Sequence, residues 1–81
     1  MAKLRVLSSR GDTVVEWDKE QVERGDPEAL AAVREAERIF AEQRARGATA
    51  FVVRRDQPAQ RIDVFDPAAE QVVLVPRVAG G

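Results

Sequence analysis

The sequence contains no cysteine and no histidine among its 81 residues. Without cysteine the chain can form neither disulfides nor thiolate metal sites, and a reducing cytosol is the natural compartment. Without histidine it lacks the usual general base and the commonest metal ligand, and Ser/His and Cys/His nucleophilic pairs are excluded. We therefore expect no catalytic residue, no metal site and no tightly bound cofactor in this chain.

Long apolar runs and an excess of charge of one sign are missing too. No run approaches the ~20 apolar residues that span a bilayer, and Met1-Ala2-Lys3 does not open the apolar region of a signal peptide. The 13 basic and 14 acidic side chains are interleaved and nearly cancel, which argues against a broad basic face for nucleic acid. We expect one cytoplasmic domain that binds neither membrane nor nucleic acid.

Five short segments have the composition of β-strands. The first two, at residues 3–7 and Thr13–Trp17, alternate or are β-branched and are separated by a turn that contains Gly11, which is typical of a β-hairpin. Pro76 should end the last strand, because proline cannot donate to a sheet ladder. The later strands are predicted at Thr49–Val53, 61–65 and 72–75.

A long helix is predicted to begin at Pro27, with Asp26 as its N-cap and Gly47 just beyond its C-terminus. Placed at 100° per residue, one stripe of this helix is apolar and the opposite face is charged, so the helix packs on one side only. A further helical turn, ended by Gly25, is expected within residues 18–25. The apolar stripe consists of Ala29, Val33, Ala36 and Phe40.

The order β-β-α-β-β-β predicts an α+β fold in which one long helix covers one face of a mixed sheet. Because the helix separates the hairpin from the later strands, the last strand can return parallel to the first and pair beside it in mid-sheet, as in the β-grasp (ubiquitin-like) fold. We assign residues 1–76 to this domain and residues 77–81 to a flexible diglycine tail. Strand alternation and the helix stripe predict these inward-facing residues: Leu4, Val6, Val15, Trp17, Leu30, Val33, Phe40, Phe51, Val53, Ile62, Val64, Val72 and Leu74.

The C-terminal dozen residues combine an acidic turn, a short apolar strand, a proline and a final Gly80-Gly81. This run resembles the terminus of the bacterial sulfur carriers, the small subunit of molybdopterin synthase and the thiamin-pathway sulfur carrier. The chain length and the Pro27-Glu28-Ala29-Leu30 helix opening are similar to that family, and ubiquitin is a wider relative. The chain departs from the carriers by a longer connection at 18–25, a longer helix and fewer residues between the helix and the last strand. It departs from ubiquitin in having only two lysines, Lys3 and Lys19.

The resemblance implies that an adenylating partner enzyme uses ATP to convert the Gly81 carboxylate into an acyl-adenylate. Sulfur, or a cysteine of the partner, would then displace AMP. Gly80 and Gly81 suit this role because a backbone without Cβ passes through a narrow channel, and Pro76 stiffens the root of the tail. The alternative is an inert, frayed terminus. The residues that lead to the two glycines are Arg77, Val78 and Ala79.

The same alternation leaves apolar residues on the side of the sheet away from the helix. If the first and last strands are parallel neighbours, Leu7 lies beside Val73 and Val75, near the start of the tail. An apolar patch on a small monomer often marks a protein contact, and here it would dock the activating enzyme. A one-residue slip at a bulge, or apolar cover of a sheet edge, would explain the pattern equally well. The predicted partner-binding surface consists of Leu7, Val14, Phe65, Val73 and Val75.

Three functions fit these features. The leading hypothesis is a carrier that passes sulfur, as a C-terminal thiocarboxylate, to a sulfur-accepting biosynthetic enzyme. The second is a bacterial ubiquitin-like modifier joined through Gly81 to target proteins, and the third is an interaction module whose tail does no chemistry. In the first two cases the chain is a co-substrate of an adenylating enzyme rather than an enzyme itself, and we expect it to be a monomer when free.

Overall fold

The computed structural model describes residues 1–77, which form a five-stranded mixed sheet with one long helix. The predicted α+β class is confirmed. The elements in chain order are β1 (Ala2–Val6), β2 (Thr13–Trp17), α1 (Lys19–Glu23), α2 (Pro27–Ala45), β3 (Thr49–Val53), β4 (Gln60–Ile62) and β5 (Gln71–Val75).

The strands lie side by side in the order β2-β1-β5-β3-β4. β5 is therefore a central strand, and it runs parallel to β1, with Leu4 opposite Val72 and Val6 opposite Leu74. The pairs β1–β2, β3–β5 and β3–β4 are antiparallel. The prediction that the last strand returns parallel to the first, in the middle of the sheet, is confirmed.

Both helices begin at an aspartate cap. A carboxylate oxygen of Asp26 accepts a hydrogen bond from the Ala29 amide at 2.9 Å, with Pro27 as the first residue of α2. Asp18 caps α1 in the same way through the Glu20 amide. Gly47 follows α2 at φ +94°, a backbone conformation that L side chains rarely adopt. Within residues 1–77, neither helix has the length and apolar character needed to cross a membrane.

The core lies between the sheet and α2. Trp17 is 2% exposed, and its indole Nε1 donates to the Pro67 carbonyl at 3.1 Å, so its one polar atom is satisfied. Most of the predicted inward residues occupy this layer. Leu4, Val6, Trp17, Phe40, Val72 and Leu74 are buried, and Val15, Val33 and Ile62 pack against them.

The face predicted for β3 is wrong by one residue. Val52 and Ala50 are buried, while Phe51, predicted to point inward like Val53, lies on the opposite side of the sheet. The register with β5 explains the difference, since the inward Val72 stands directly opposite Val52. Side-chain size alone favours Phe51 over its small neighbours, but the ladder determines which face each residue occupies.

The strand predicted at 61–65 is shorter and lies earlier. β4 pairs with β3 only up to Ile62, opposite Ala50, and β3 itself begins one residue before Ala50. With no further partner the chain leaves the sheet, so the alternation does not continue beyond that point. Val64, predicted to be inward, is 77% exposed. Phe65, predicted to be outward, turns into the core.

Candidate functional site

The tail begins at the end of the central strand. Arg77 is exposed. Val78 and Ala79, and the two glycines predicted to carry the chemistry, Gly80 and Gly81, lie outside the described residues. A Cβ placed on Gly47 would lie 3.1 Å from Cδ of Arg77, so the start of the tail runs past the C-terminal end of α2.

β5 holds the start of the tail from both sides. Thr49 of β3 is opposite Val75, and on the other side the Leu7 amide donates to the Leu74 carbonyl at 3.0 Å. Pro76 follows at once and cannot extend either ladder. The chain therefore leaves the sheet where β1 ends and β3 begins.

The side of the sheet opposite α2, which we call the outer face, carries a row of directly paired residues across all five strands. Arg5 of β1 is the second residue of this row, because it pairs with residues of β2 and β5 at the same level. In order from β2 to β4, the row is Val14, Arg5, Val73, Phe51 and Arg61.

Four of the five residues predicted to bind a partner belong to this outer face. Val14 and Val73 are in the row itself, Val75 is two residues further along β5, and Leu7 continues β1 beside the end of β5. Val14 is 41% and Val75 is 37% exposed, so both present apolar surface to solvent.

Phe65 is not part of this face, and its predicted outward orientation is wrong. Its ring centroid lies 5.9 Å from that of Trp17 and 5.7 Å from that of Phe40, on the helix side of the sheet. The outer face instead carries Phe51, beside Val73. Only the β3–β5 register could have identified Phe51 as an outer-face residue, because the composition of β3 does not show which of its alternating residues face the core.

An open hollow of about 460 Å³ lies where the outer face meets the tail. The turn between β1 and β2 forms one wall, and it is fixed by a hydrogen bond from the Ser8 amide to the Asp12 carboxylate at 3.2 Å. The site thus offers apolar surface beside the start of the tail, an arrangement that can dock a protein, and the chain has no histidine to act as a general base for the two serines in its lining. The hollow is lined by Leu7, Ser8, Ser9, Asp12, Val75, Pro76 and Arg77.

The paired positions of the outer face carry more positive than negative charge. Lys3 and Arg5 on β1 and Arg61 on β4 are cationic, whereas Glu16, opposite Lys3, is acidic. The chain as a whole has a formal charge of −1. The positive charge is therefore a local property of this face rather than of the whole protein.

Two side chains with shifted pKa values, Glu35 and Arg38, lie on the solvent face of α2. A hydrogen bond from Arg38 lowers the pKa of the Glu35 carboxyl, and hydrogen bonds to Glu35 and Glu42 raise the pKa of the Arg38 guanidinium. These side chains are about half exposed to solvent and pair one helical turn apart, so they support the helix surface rather than a site. Within residues 1–77, no group of three or more acidic side chains is arranged to hold a metal ion.

Comparison of the chain with protein-family models, with curated proteins and with solved structures found no match. Function is therefore inferred from the chain's own residues and geometry.

Proposed function

We propose that this chain is a β-grasp carrier protein whose Gly81 carboxylate is activated by an ATP-dependent adenylating enzyme and then carries sulfur as a thiocarboxylate. The observation that carries the proposal is the run from β5 through Pro76 to Gly80-Gly81. A short apolar strand in mid-sheet, parallel to β1, leads directly into Pro76 and a tail that finishes with Gly80-Gly81.

The β-grasp assignment is supported by the strand order. A hairpin, a helix that covers one face, and a last strand inserted parallel to the first give the order β2-β1-β5-β3-β4. This arrangement connects the tail to a central strand and, within residues 1–77, leaves the outer face free of helices, since α1 contacts α2. Fold alone does not determine function, so the tail sequence and the outer face are the features that support a carrier role.

The proposed reaction requires a carboxylate and no catalytic group from this chain. A carboxylate oxygen of Gly81 attacks the α-phosphorus of ATP, forming the acyl-adenylate as pyrophosphate leaves. A sulfur nucleophile supplied by the partner system then attacks the acyl carbon, and AMP leaves. Gly80 and Gly81 present no Cβ to a narrow channel, so the reacting carbon stays accessible.

We further propose that the outer face docks the adenylating enzyme. Leu7 and Val75 lie beside the start of the tail, and Val14, Val73 and Phe51 extend the apolar surface across the sheet. Docking close to the tail limits the positions that Gly81 can reach, and such positioning accelerates a reaction between bound groups.

The carboxylate proposal is tested by ATP–pyrophosphate exchange with the cognate adenylating enzyme. The full-length chain should support exchange, and a variant that lacks Gly81 should not, although both should melt at the same temperature. Exchange that persists without Gly81 would contradict the proposed role of the tail.

The docking proposal has a matched pair of variants. Val75→Asp places a charge on the outer face and should raise the KM for the carrier by about tenfold or more, because a charge opposes burial in an apolar contact. Val64→Asp makes the same change at a residue that is 77% exposed and lies off this face, so it should leave the KM unchanged. Equal effects of the two substitutions would argue against docking on the outer face.

The sulfur carrier and the protein modifier are distinguished by intact mass. Protein isolated from its native host should include a species in which sulfur replaces one terminal oxygen, and alkylation should change its mass. Isopeptide-linked targets, with no thiocarboxylate, would instead identify a modifier and leave the activation of Gly81 in place.

A further inference from the structure

Arg5 is a charged residue flanked by two valines on the outer face. It lies on β1 between Val14 and Val73, its direct cross-strand neighbours on the outer face. Glu16 is two residues further along β2 than Val14, opposite Lys3, but no ion pair joins it to Arg5. The guanidinium thus lies on the face proposed for docking, and no carboxylate of residues 1–77 forms an ion pair with it.

The Nε atom of Arg5 is buried and has no hydrogen-bond partner in the described structure. Buried polar groups are nearly always hydrogen-bonded, and one left without an acceptor destabilises the folded state. Removing an unpaired group should therefore stabilise the free protein. Such a destabilising group is expected at a binding site, where a partner supplies the missing acceptor.

The charge of the outer face indicates the chemistry of that partner. Three cationic side chains, Lys3, Arg5 and Arg61, share the paired positions of this face with a single acidic one, Glu16. Two copies of the chain placed face to face would bring like charges together, which disfavours association. A partner surface that carries carboxylates is complementary to this face. The fork of N–H groups on an arginine binds one carboxylate through two parallel hydrogen bonds.

We propose that Arg5 is the specificity-determining contact of the outer face and pairs there with a carboxylate that a partner protein presents between apolar side chains. This inference rests on the proposed docking role of the face and names the group that the face selects. Val14, Val73 and Phe51 form the apolar surroundings that exclude water from the pair. In the complex, the side chain of Arg5 rotates outward, so that Nε–H and a terminal N–H both donate to the carboxylate.

Peptide selection tests the proposal without any enzyme or ATP, so its result is independent of the Gly81 experiment. Random dodecapeptides displayed on phage are selected on the immobilised wild-type chain. We expect the enriched peptides to carry Asp or Glu flanked by apolar residues, and to shift the amide resonances of Val14, Phe51 and Val73. Peptides without an acidic residue, peptides that bind elsewhere, or no enrichment at all would overturn the proposal.

Variants at Arg5 distinguish the contribution of the forked N–H groups of the guanidinium from that of its positive charge. Arg5→Met keeps an apolar stem and should lower the affinity for the selected peptides by about tenfold or more, the effect expected when a charge-assisted hydrogen bond is lost. Arg5→Lys keeps the charge but not the fork and should lie between Arg5→Met and the wild type. Arg34→Met removes the same charge from an exposed position on α2 and should have no effect. Full binding by Arg5→Met would overturn the proposal.

A stability measurement separates a binding role from a structural one. Arg5→Met should unfold at a higher urea concentration than the wild type, because it removes the unpaired Nε, whereas Arg34→Met should unfold at the wild-type concentration. A lower midpoint for Arg5→Met would show that Arg5 supports the fold and would overturn the proposal. A dimer of the wild-type chain that Arg5→Met dissolves would also overturn it, since the occupant would then be a second copy.

Discussion

Two adjacent valines of β3 provide a direct test of which side of the sheet forms the core. Val52 is 2% exposed and stands opposite the buried Val72, whereas Val53 stands opposite Gln71 on the outer face. Placing aspartate at each position in turn makes the same chemical change on the two sides of one strand. We expect Val52→Asp to unfold the protein and Val53→Asp to leave it folded.

The expected magnitudes follow from burial. Full burial of a valine side chain is worth about 1.5–3 kcal/mol, and leaving an unpaired polar group in its place adds a further cost of about 2–7 kcal/mol. A chain of 81 residues has a total stability of roughly 4–12 kcal/mol, so Val52→Asp removes most or all of it. At Val53 the carboxylate reaches solvent, and only the poor strand propensity of aspartate, about 1 kcal/mol or less, opposes folding.

Urea denaturation followed by tryptophan fluorescence is a suitable assay, since Trp17 is the only tryptophan and is buried in the core. Val52→Ala and Val53→Ala provide a milder pair if Val52→Asp cannot be purified. Val52→Ala should lower the free energy of unfolding by about 1.5–3 kcal/mol, and Val53→Ala by clearly less. Equal losses at the two positions, or a larger loss at Val53, would refute the face assignment of β3.

Three further substitutions test the other contacts that define the fold, each by the same urea assay. Phe65→Ala should lower the free energy of unfolding by about 2–3 kcal/mol, at or below the lower part of the range for phenylalanine truncation, because the ring is only partly buried against Trp17 and Phe40. The control, Val64→Ala, should change stability by less than about 0.5 kcal/mol. Equal losses for the two variants would contradict the inward placement of Phe65. Asp26→Ala should cost about 0.5–2 kcal/mol and Asp26→Asn much less, since asparagine can still accept from the Ala29 amide; an Asp26→Asn variant as unstable as Asp26→Ala would exclude the cap. Gly47→Ala should lower the free energy of unfolding by about 1–2 kcal/mol because Gly47 has a positive φ. If backbone strain is the cause, rather than contact with the Arg77 side chain, adding Arg77→Ala should not restore the lost stability.

Sequence reasoning succeeded where the signal is local. The limits of α2 are encoded by neighbouring residues, because Asp26 caps the first turn and Gly47 adopts the conformation that ends the helix. β2 and β3 were predicted at the bounds the structure has, since β-branched runs between turn residues indicate a strand wherever they occur. The parallel return of β5 followed from the order of the elements.

Sequence reasoning failed where a face depends on a distant strand. Strand alternation placed Phe51 and Val53 inward, but alternation alone does not determine which of the two sets of residues in β3 faces the core. The core on this side includes small residues, and Ala36, Ala48 and Ala50 are all buried. Phe65 was placed outward by extending the alternation of a strand that ends at Ile62. No pattern within either segment contains this information, because it lies in the register with β5 and in the length of β3.

The position of Arg5 could not be judged from sequence for the same reason. In the sequence it is an ordinary polar residue of an alternating strand. Its proposed role in binding depends on the placement of Val14 and Val73 on either side of it by β2 and β5.

The attachment of the tail to a central strand has a mechanical consequence for the proposed carrier. In the proposed reaction an adenylating enzyme would hold the tail while it binds ATP and releases pyrophosphate, so any pull on Arg77 would be transmitted to β5. β5 is hydrogen-bonded along both sides, to β1 and to β3, and the inward side chains of Val72 and Leu74 are fully buried. Removing an edge strand such as β4 breaks one short ladder of three paired residues, but extracting β5 breaks two ladders and opens the core. A group carried on this tail can therefore be handled by a partner enzyme without unfolding the domain that delivers it.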